Sequence, residues 1–195
     1  QWAAISNPYV TNSLFYDRQI TEGNNKMSAG VLINYDRSGD FKRTNTQIGI
    51  PLAYHLKLNG KQQLSFGLQP AVVLSSLNTS NQTFPDQWEQ STGTFNSGIS
   101  SSDVFFNDQL TTFRLNTGIS WSFLDSKNKV VIGVNADNLV PSDKRFLNFY
   151  SNEEVIRYSP HFKIKHRFSN DLFLEPMIQY HFLNKASSLV AGIKV

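Results

Sequence analysis

The chain has 195 residues, room for one domain of ordinary size, with a formal net charge of +3. Charged residues make up only 17% and aromatics 13%, which excludes a disordered chain, since that would lack the aromatics. No cysteine is present, which excludes a disulfide framework or a thiolate metal centre, and no block of five like charges offers a footprint for nucleic acid.

Taken in chain order, the elements all show the period-two alternation of half-buried strands. Residues 10–17 form a weak first strand. Met27, Ala29, Val31, Ile33 and Tyr35 share one face of the second, and Ile48, Ile50, Leu52, Tyr54 and Leu56 one face of the third. Leu64, Phe66, Leu68, Pro70, Val72 and Leu74 follow. Between 110 and 123, Phe113, Leu115, Ile119, Trp121 and Phe123 alternate with Thr112, Arg114, Asn116, Gly118, Ser120 and Ser122. Ile132, Val134 and Ala136 come next, then Ile156, Tyr158, Pro160, Phe162, Ile164 and Phe168. Leu172, Leu174, Pro176, Ile178, Tyr180 and Phe182 form the eighth stripe, and Leu189, Ala191, Ile193 and Val195 the last. The pattern predicts about nine strands and no helix. The densest apolar run, residues 130–134, is far short of the roughly 20 residues a helix needs to span lipid.

Gly, Asn, Asp and Ser clusters near 22–25, 37–40, 59–60, 125–128 and 169–171 mark short turns. Two connections are long, 78–107 and 139–154. Short turns make sequence neighbours pair as antiparallel hairpins, within a single domain covering 1–195. The chain opens on Gln1 and closes on Val195 inside a strand pattern, and an odd strand number does not suit single-chain bacterial barrels, so the reading is a fragment of a larger, even-stranded barrel.

Alternation alone does not choose between a soluble sandwich with an apolar interior and a membrane barrel with an apolar exterior. Three features favour the barrel. The stretches 112–123 and 156–168 are longer than soluble strands and meet the roughly 9–11 residues of a tilted membrane strand. The long and short connections alternate, as in outer-membrane barrels. Gly30, Gly49, Gly67, Gly118, Gly133 and Gly192 all fall on the polar face, where small residues suit a crowded lumen. Pro51, Pro70, Pro160 and Pro176 lie inside strand patterns and predict nearby bulges.

A resemblance rests on an ordered set of segments. These are Gln1-Trp2 with Asn7-Pro8-Tyr9-Val10-Thr11, the Asp36-Arg37-Ser38-Gly39-Asp40 turn, Leu64-Ser65-Phe66-Gly67-Leu68-Gln69 and Asp86-Gln87-Trp88. Phe113-Arg114-Leu115-Asn116-Thr117-Gly118-Ile119-Ser120-Trp121 follows, then Val131-Ile132-Gly133-Val134 leading to Asn138-Leu139 and Pro141. In that order they resemble the PorP/SprF family of the Bacteroidota type IX secretion system, over almost the whole chain. The resemblance implies a non-enzymatic, cofactor-free β-barrel in the outer membrane of a Gram-negative bacterium, surrounded by its lipid. It implies partners in the secretion and gliding machinery, and a role in exporting or retaining surface adhesins recognised directly or by their C-terminal domains. The family tends to carry histidines before the Leu and Pro where this chain has Ala136-Asp137-Asn138, so no role is carried over there.

No catalytic, cofactor or metal site is predicted. His161 and His181 fall on one face of adjacent strands without a carboxylate, which is weak as a metal site, and no Gly-x-Ser-x-Gly occurs. The candidate site is a lumen-facing basic wall: Arg157, His161, Lys163, Lys165 and Arg167 on one face of one strand. Keeping both apolar stripes on one side of the 169–171 turn sets Phe168 opposite Leu172 and predicts a cross-strand ion pair between Lys165 and Glu175. Trp88, in the first long loop, is the candidate partner contact. The alternative function is a porin-like or fatty-acid-transporter-like uptake barrel.

Overall fold

The computed structural model describes residues 9–21, 23–38, 43–77, 83–96, 98–99, 109–140, 155–169, 172–184 and 186–195. They form one antiparallel sheet built from β1 (Val10–Gln19), β2 (Lys26–Ser38), β3 (Arg43–Gly49), β4 (Leu52–Lys57), β5 (Gln62–Ser76), β8 (Gln109–Leu124), β9 (Asn128–Asp137), β10 (Arg157–Arg167), β11 (Phe173–Leu183) and β12 (Ala186–Lys194). The order is that of the chain, β1-β2-β3-β5-β8-β9-β10-β11-β12, with β4 continuing β3 between β2 and β5. No α-helix occurs among the described residues, and no helix is long and apolar enough to cross a membrane. A separate two-stranded hairpin, β6 (Trp88–Glu89) with β7 (Thr94–Phe95), lies within the first long connection. β1 and β12 do not pair with each other among the described residues, so these form an open sheet rather than a closed barrel.

The third predicted strand divides at Pro51. Its missing N–H removes one ladder bond, while Gly30 N still donates to Pro51 O at 2.9 Å. Register is unchanged across the break: Leu32 opposes Gly49 before it and Ala29 opposes Leu52 after it. The bulges expected at the prolines do not form. Pro70 opposes Leu115 between Leu68–Thr117 and Val72–Phe113, Pro160 opposes Val134, and Pro176 opposes Ile193, all in unbroken register. Each proline forfeits one hydrogen bond toward one neighbour, and the rest of a long ladder holds the strand in place. At Pro70, Ile50 N still donates to the proline carbonyl at 3.0 Å.

Register fixes the faces, and burial shows which is sheltered. Every apolar stripe lies on the same side of the sheet, and that side is the open one: Phe113 is 47% exposed and Ile132 48%. The polar side is sheltered along β5, β8 and β10: Ser75 is 3% exposed, Thr112 6% and Ser159 1%. All six strand glycines sit on this inner side, as the alternation predicted. A soluble sandwich has the opposite arrangement, with the apolar face dry and the polar face wet.

The short turns are tied to one another. Leu124 N donates to Lys61 O at 2.7 Å, and Lys61 Nζ meets Asp125 Oδ1 at 2.9 Å. The Lys61 ammonium hydrogen bond, with help from the Ser126 backbone, holds the Asp125 carboxyl below its ordinary value of 3.8. A depressed folded-state pKa contributes stability above the ordinary value and loses it as pH falls through the lower one. Acidification below pH 3.8 is therefore expected to raise amide exchange at Leu124, and Asp125→Asn to abolish that response.

Candidate functional site

The inner wall is a polar network held by adjacent strands. Ser75 Oγ donates to Asn45 Oδ1 at 2.6 Å, Arg114 Nη1 donates to Gln47 Oε1 at 3.2 Å, and Ser159 Oγ shares a hydrogen bond of 2.8 Å with His181 Nδ1. A cavity of about 510 Å³ lies against this face, lined among others by His55, Ser65, Gln69, Asn116, Asn135 and His161. Gly118 and Gly133 make room there. A Cβ on Gly118 would lie 2.5 Å from Asn135 Oδ1, and one on Gly133 would lie 2.6 Å from the His161 ring, so both side chains rest flat across glycine.

The five residues of the predicted basic wall do share this face, but they do not act as one charge. Arg157 is neutralised by Asp137 of β9, with Nη2 to Oδ2 at 2.7 Å and Nε to Oδ2 at 2.9 Å. His161 faces Gly133 on one side and Gln179 on the other. The β10–β11 register agrees with Phe168 opposite Leu172: His161 opposes Gln179 and Lys163 opposes Met177. Yet the ion pair forms between Lys163 and Glu175, at 3.4 Å, rather than between Lys165 and Glu175. Lys163 reaches diagonally along its flexible stem, while Lys165 Nζ sits 3.8 Å from the centre of the Phe173 ring. Arg157 is thus compensated and Lys165 is not, the reverse of what the hairpin alone suggested. Sequence reasoning missed Asp137 and Phe173 in these contacts. The register between β9 and β10 is hidden behind the long connection, so no turn could reveal which β9 residues face the wall.

The first long loop carries a built feature. Pro85–Gln87 forms a 3₁₀ turn leading into the β6–β7 hairpin. Gln87, 7% exposed, ties it together: Phe84 N donates to Gln87 Oε1 at 3.0 Å, and Gln87 Nε2 donates to Ile99 O at 2.8 Å. Trp88 and Phe95 pack edge to face with centroids 5.0 Å apart, yet both remain about half exposed. Gln87→Ala leaves two partners unsatisfied and is expected to cost the loop about 1–3 kcal/mol of local stability. Amide exchange should then rise in 84–99 and stay unchanged in β5 and β8. The second long connection, from 141 to 154, lies outside the described residues.

The family described as type IX secretion system membrane protein PorP/SprF matches residues 1–195. The chain belongs to the PorP/SprF family. No curated protein and no solved structure matches it. A PorP/SprF chain is a membrane protein of the type IX secretion system, structural rather than catalytic in kind, and membership implies partners within that machinery. This accords with the inverted faces of the sheet: the open apolar side suits lipid, and the sheltered polar side suits water. Among the described residues no group of three or more His, Asp or Glu is placed to hold a metal ion.

Proposed function

We propose that this sheet forms part of the wall of a β-barrel in the outer membrane, and that the barrel helps the type IX machinery export or retain adhesin-like surface proteins without performing catalysis itself. The single observation that carries the reading is the inversion of burial, with Ile132 48% exposed on one face and Ser159 1% exposed on the other. Strand length supports it: β8 has 16 residues and β10 has 11, against the roughly 9–11 that a tilted membrane strand requires. Trp121 and Phe123 stack near the short-turn end of the outer face, and Trp121 Nε1 donates to Gln62 Oε1 at 3.3 Å. An aromatic with a polar handle at that depth suits a membrane–water boundary.

In this reading the turns at 59–60, 125–128 and 169–171 face the periplasm and the two long connections face outward. The Trp88–Phe95 pair then presents a rigid aromatic contact to a partner at the cell surface, because aromatic anchors in half-exposed positions carry binding energy at low entropic cost. Co-purification from native membranes, read by mass spectrometry, tests the role. Recovery of machinery components together with proteins bearing a type IX C-terminal domain is expected, and recovery of lipid-bound protein alone would contradict it.

The cavity of about 510 Å³ against the inner face favours a second reading, a solute-uptake barrel. Planar-bilayer recording separates the two: steady single-channel conductance supports uptake, and a silent barrel supports the scaffold.

A further inference from the structure

Cationic side chains converge on the inner face at the short-turn end. Lys165 stands directly opposite Lys129, and Arg167 N bonds to Lys127 O, which places a second like-charged pair one step nearer the turn. Like charges directly opposed on a sheet destabilise it unless something anionic lies between them. The four side chains line a hollow of about 210 Å³ together with Leu124, Asp125, Ser126 and Asn128. Asp125 is already held by Lys61 at 2.9 Å, and the nearest carboxylate on β11, Glu175, is held by Lys163 at 3.4 Å. Lys194 of β12 opposes Glu175 in register and extends the row. Phe173 organises it: Lys165 Nζ is 3.8 Å and Lys194 Nζ 5.9 Å from its ring centre, so one aromatic face keeps two ammonium groups pointing inward.

We propose that this cluster is a docking site for an acidic peptide segment of a machinery partner, whose carboxylates enter from the short-turn end. The inference rests on the reading of the inner face as the wet side of a membrane-embedded wall. Two features select a peptide over other anions. The cations are on the face opposite the apolar stripe, so a lipid headgroup lying against that stripe does not reach them. The row from Lys129 to Lys194 crosses three strand spacings, about 14 Å, which is wider than one phosphate or carboxylate. An extended chain covers that span in about four or five residues and can offer an acid to each cation.

The test uses the full-length protein in lipid nanodiscs and a fluorescein-labelled octaglutamate peptide, read by fluorescence anisotropy. Binding that weakens as salt rises is expected, with octalysine not bound. Neutralising Lys129, Lys165 and Arg167 together to Gln should weaken it by about tenfold or more, while Lys129→Arg with Lys165→Arg should retain it. Unchanged affinity in the triple variant would overturn the proposal. So would displacement of the peptide by inorganic phosphate as effectively as by unlabelled octaglutamate at equal ionic strength, which would mark a single-anion pocket. Displacement by phosphatidylglycerol vesicles but not by phosphatidylcholine vesicles would assign the cluster to lipid and overturn it equally. Nanodisc-embedded protein that binds no octaglutamate refutes this site alone, whereas protein that does not enter nanodiscs refutes the membrane-wall reading beneath it.

Discussion

Ile132→Arg is expected to destabilise the protein in lipid by about 2–4 kcal/mol, the cost of an arginine on the lipid face near the midplane of a barrel. Ile132 lies mid-strand in β9, flanked on the outer face by Trp121 of β8 and Phe162 of β10, and is 48% exposed. That exposure is what makes the substitution discriminating. On a soluble protein, an apolar residue so exposed tolerates a charge within about 0.5 kcal/mol. In a bilayer the same position faces hydrocarbon, and the guanidinium must be dragged from water. Urea unfolding from lipid vesicles reads the difference. Ser122→Lys, on the inner face between Gln63 and Val131, serves as the comparison and should cost far less.

The second large effect concerns glycine. Gly133→Ala is expected to cost about 1–3 kcal/mol, the usual range for overpacking a filled site. The new Cβ would lie 2.6 and 2.7 Å from two atoms of the His161 ring and 2.8 Å from the carbonyl oxygen of Ile119. The ring can move aside; the backbone carbonyl is fixed in the β8–β9 ladder. His161→Ala in the Gly133→Ala background should therefore restore part of the loss and not all of it. Gly67→Ala on the same face should cost nothing comparable, because its Cβ would find no atom nearer than 3.9 Å. Equilibrium unfolding of the three variants, compared with the wild type, checks all of these together.

Those two glycines also mark the limit of what the sequence reveals. Both sit on the polar face of an alternating strand, and the alternation identified that face for each of them. It could not say that Gly133 lies under a histidine while Gly67 faces open space. That distinction depends on register across β9 and β10, which are joined by a long connection that sets no register of its own. Where a short turn joins two strands the outcome was different: the pairing around 169–171 was readable from the need to keep Phe168 and Leu172 on one side, and Lys163 does oppose Met177. Even there, side-chain reach was not readable. Glu175 had two lysines of β10 within range, and the Phe173 ring drew one of them away. The prolines misled for a related reason. A lost donor is a local fact, but whether the strand bulges is decided by the length of ladder on either side. The Trp88 loop was legible only as a lone tryptophan among polar residues, since Gln87 ties 84 to 99 through contacts that no periodicity encodes.

In the proposed orientation the sheet turns its apolar face to lipid and its polar face to water. A nitroxide scan along β8 and β9 tests it most directly, with single labels at 113–117, 119–120, 130–132 and 134–136 in lipid vesicles and accessibility read to oxygen, which partitions into lipid, and to a water-soluble nickel chelate. The expected result is a period-two oscillation in which Phe113, Leu115, Ile119, Ile132 and Val134 are open to oxygen, and Asn116, Ser120 and Asn135 are open to nickel. Labels at Phe113, Ile119 and Ile132 that are shielded from both reagents, as in a dry core between two sheets, would contradict it.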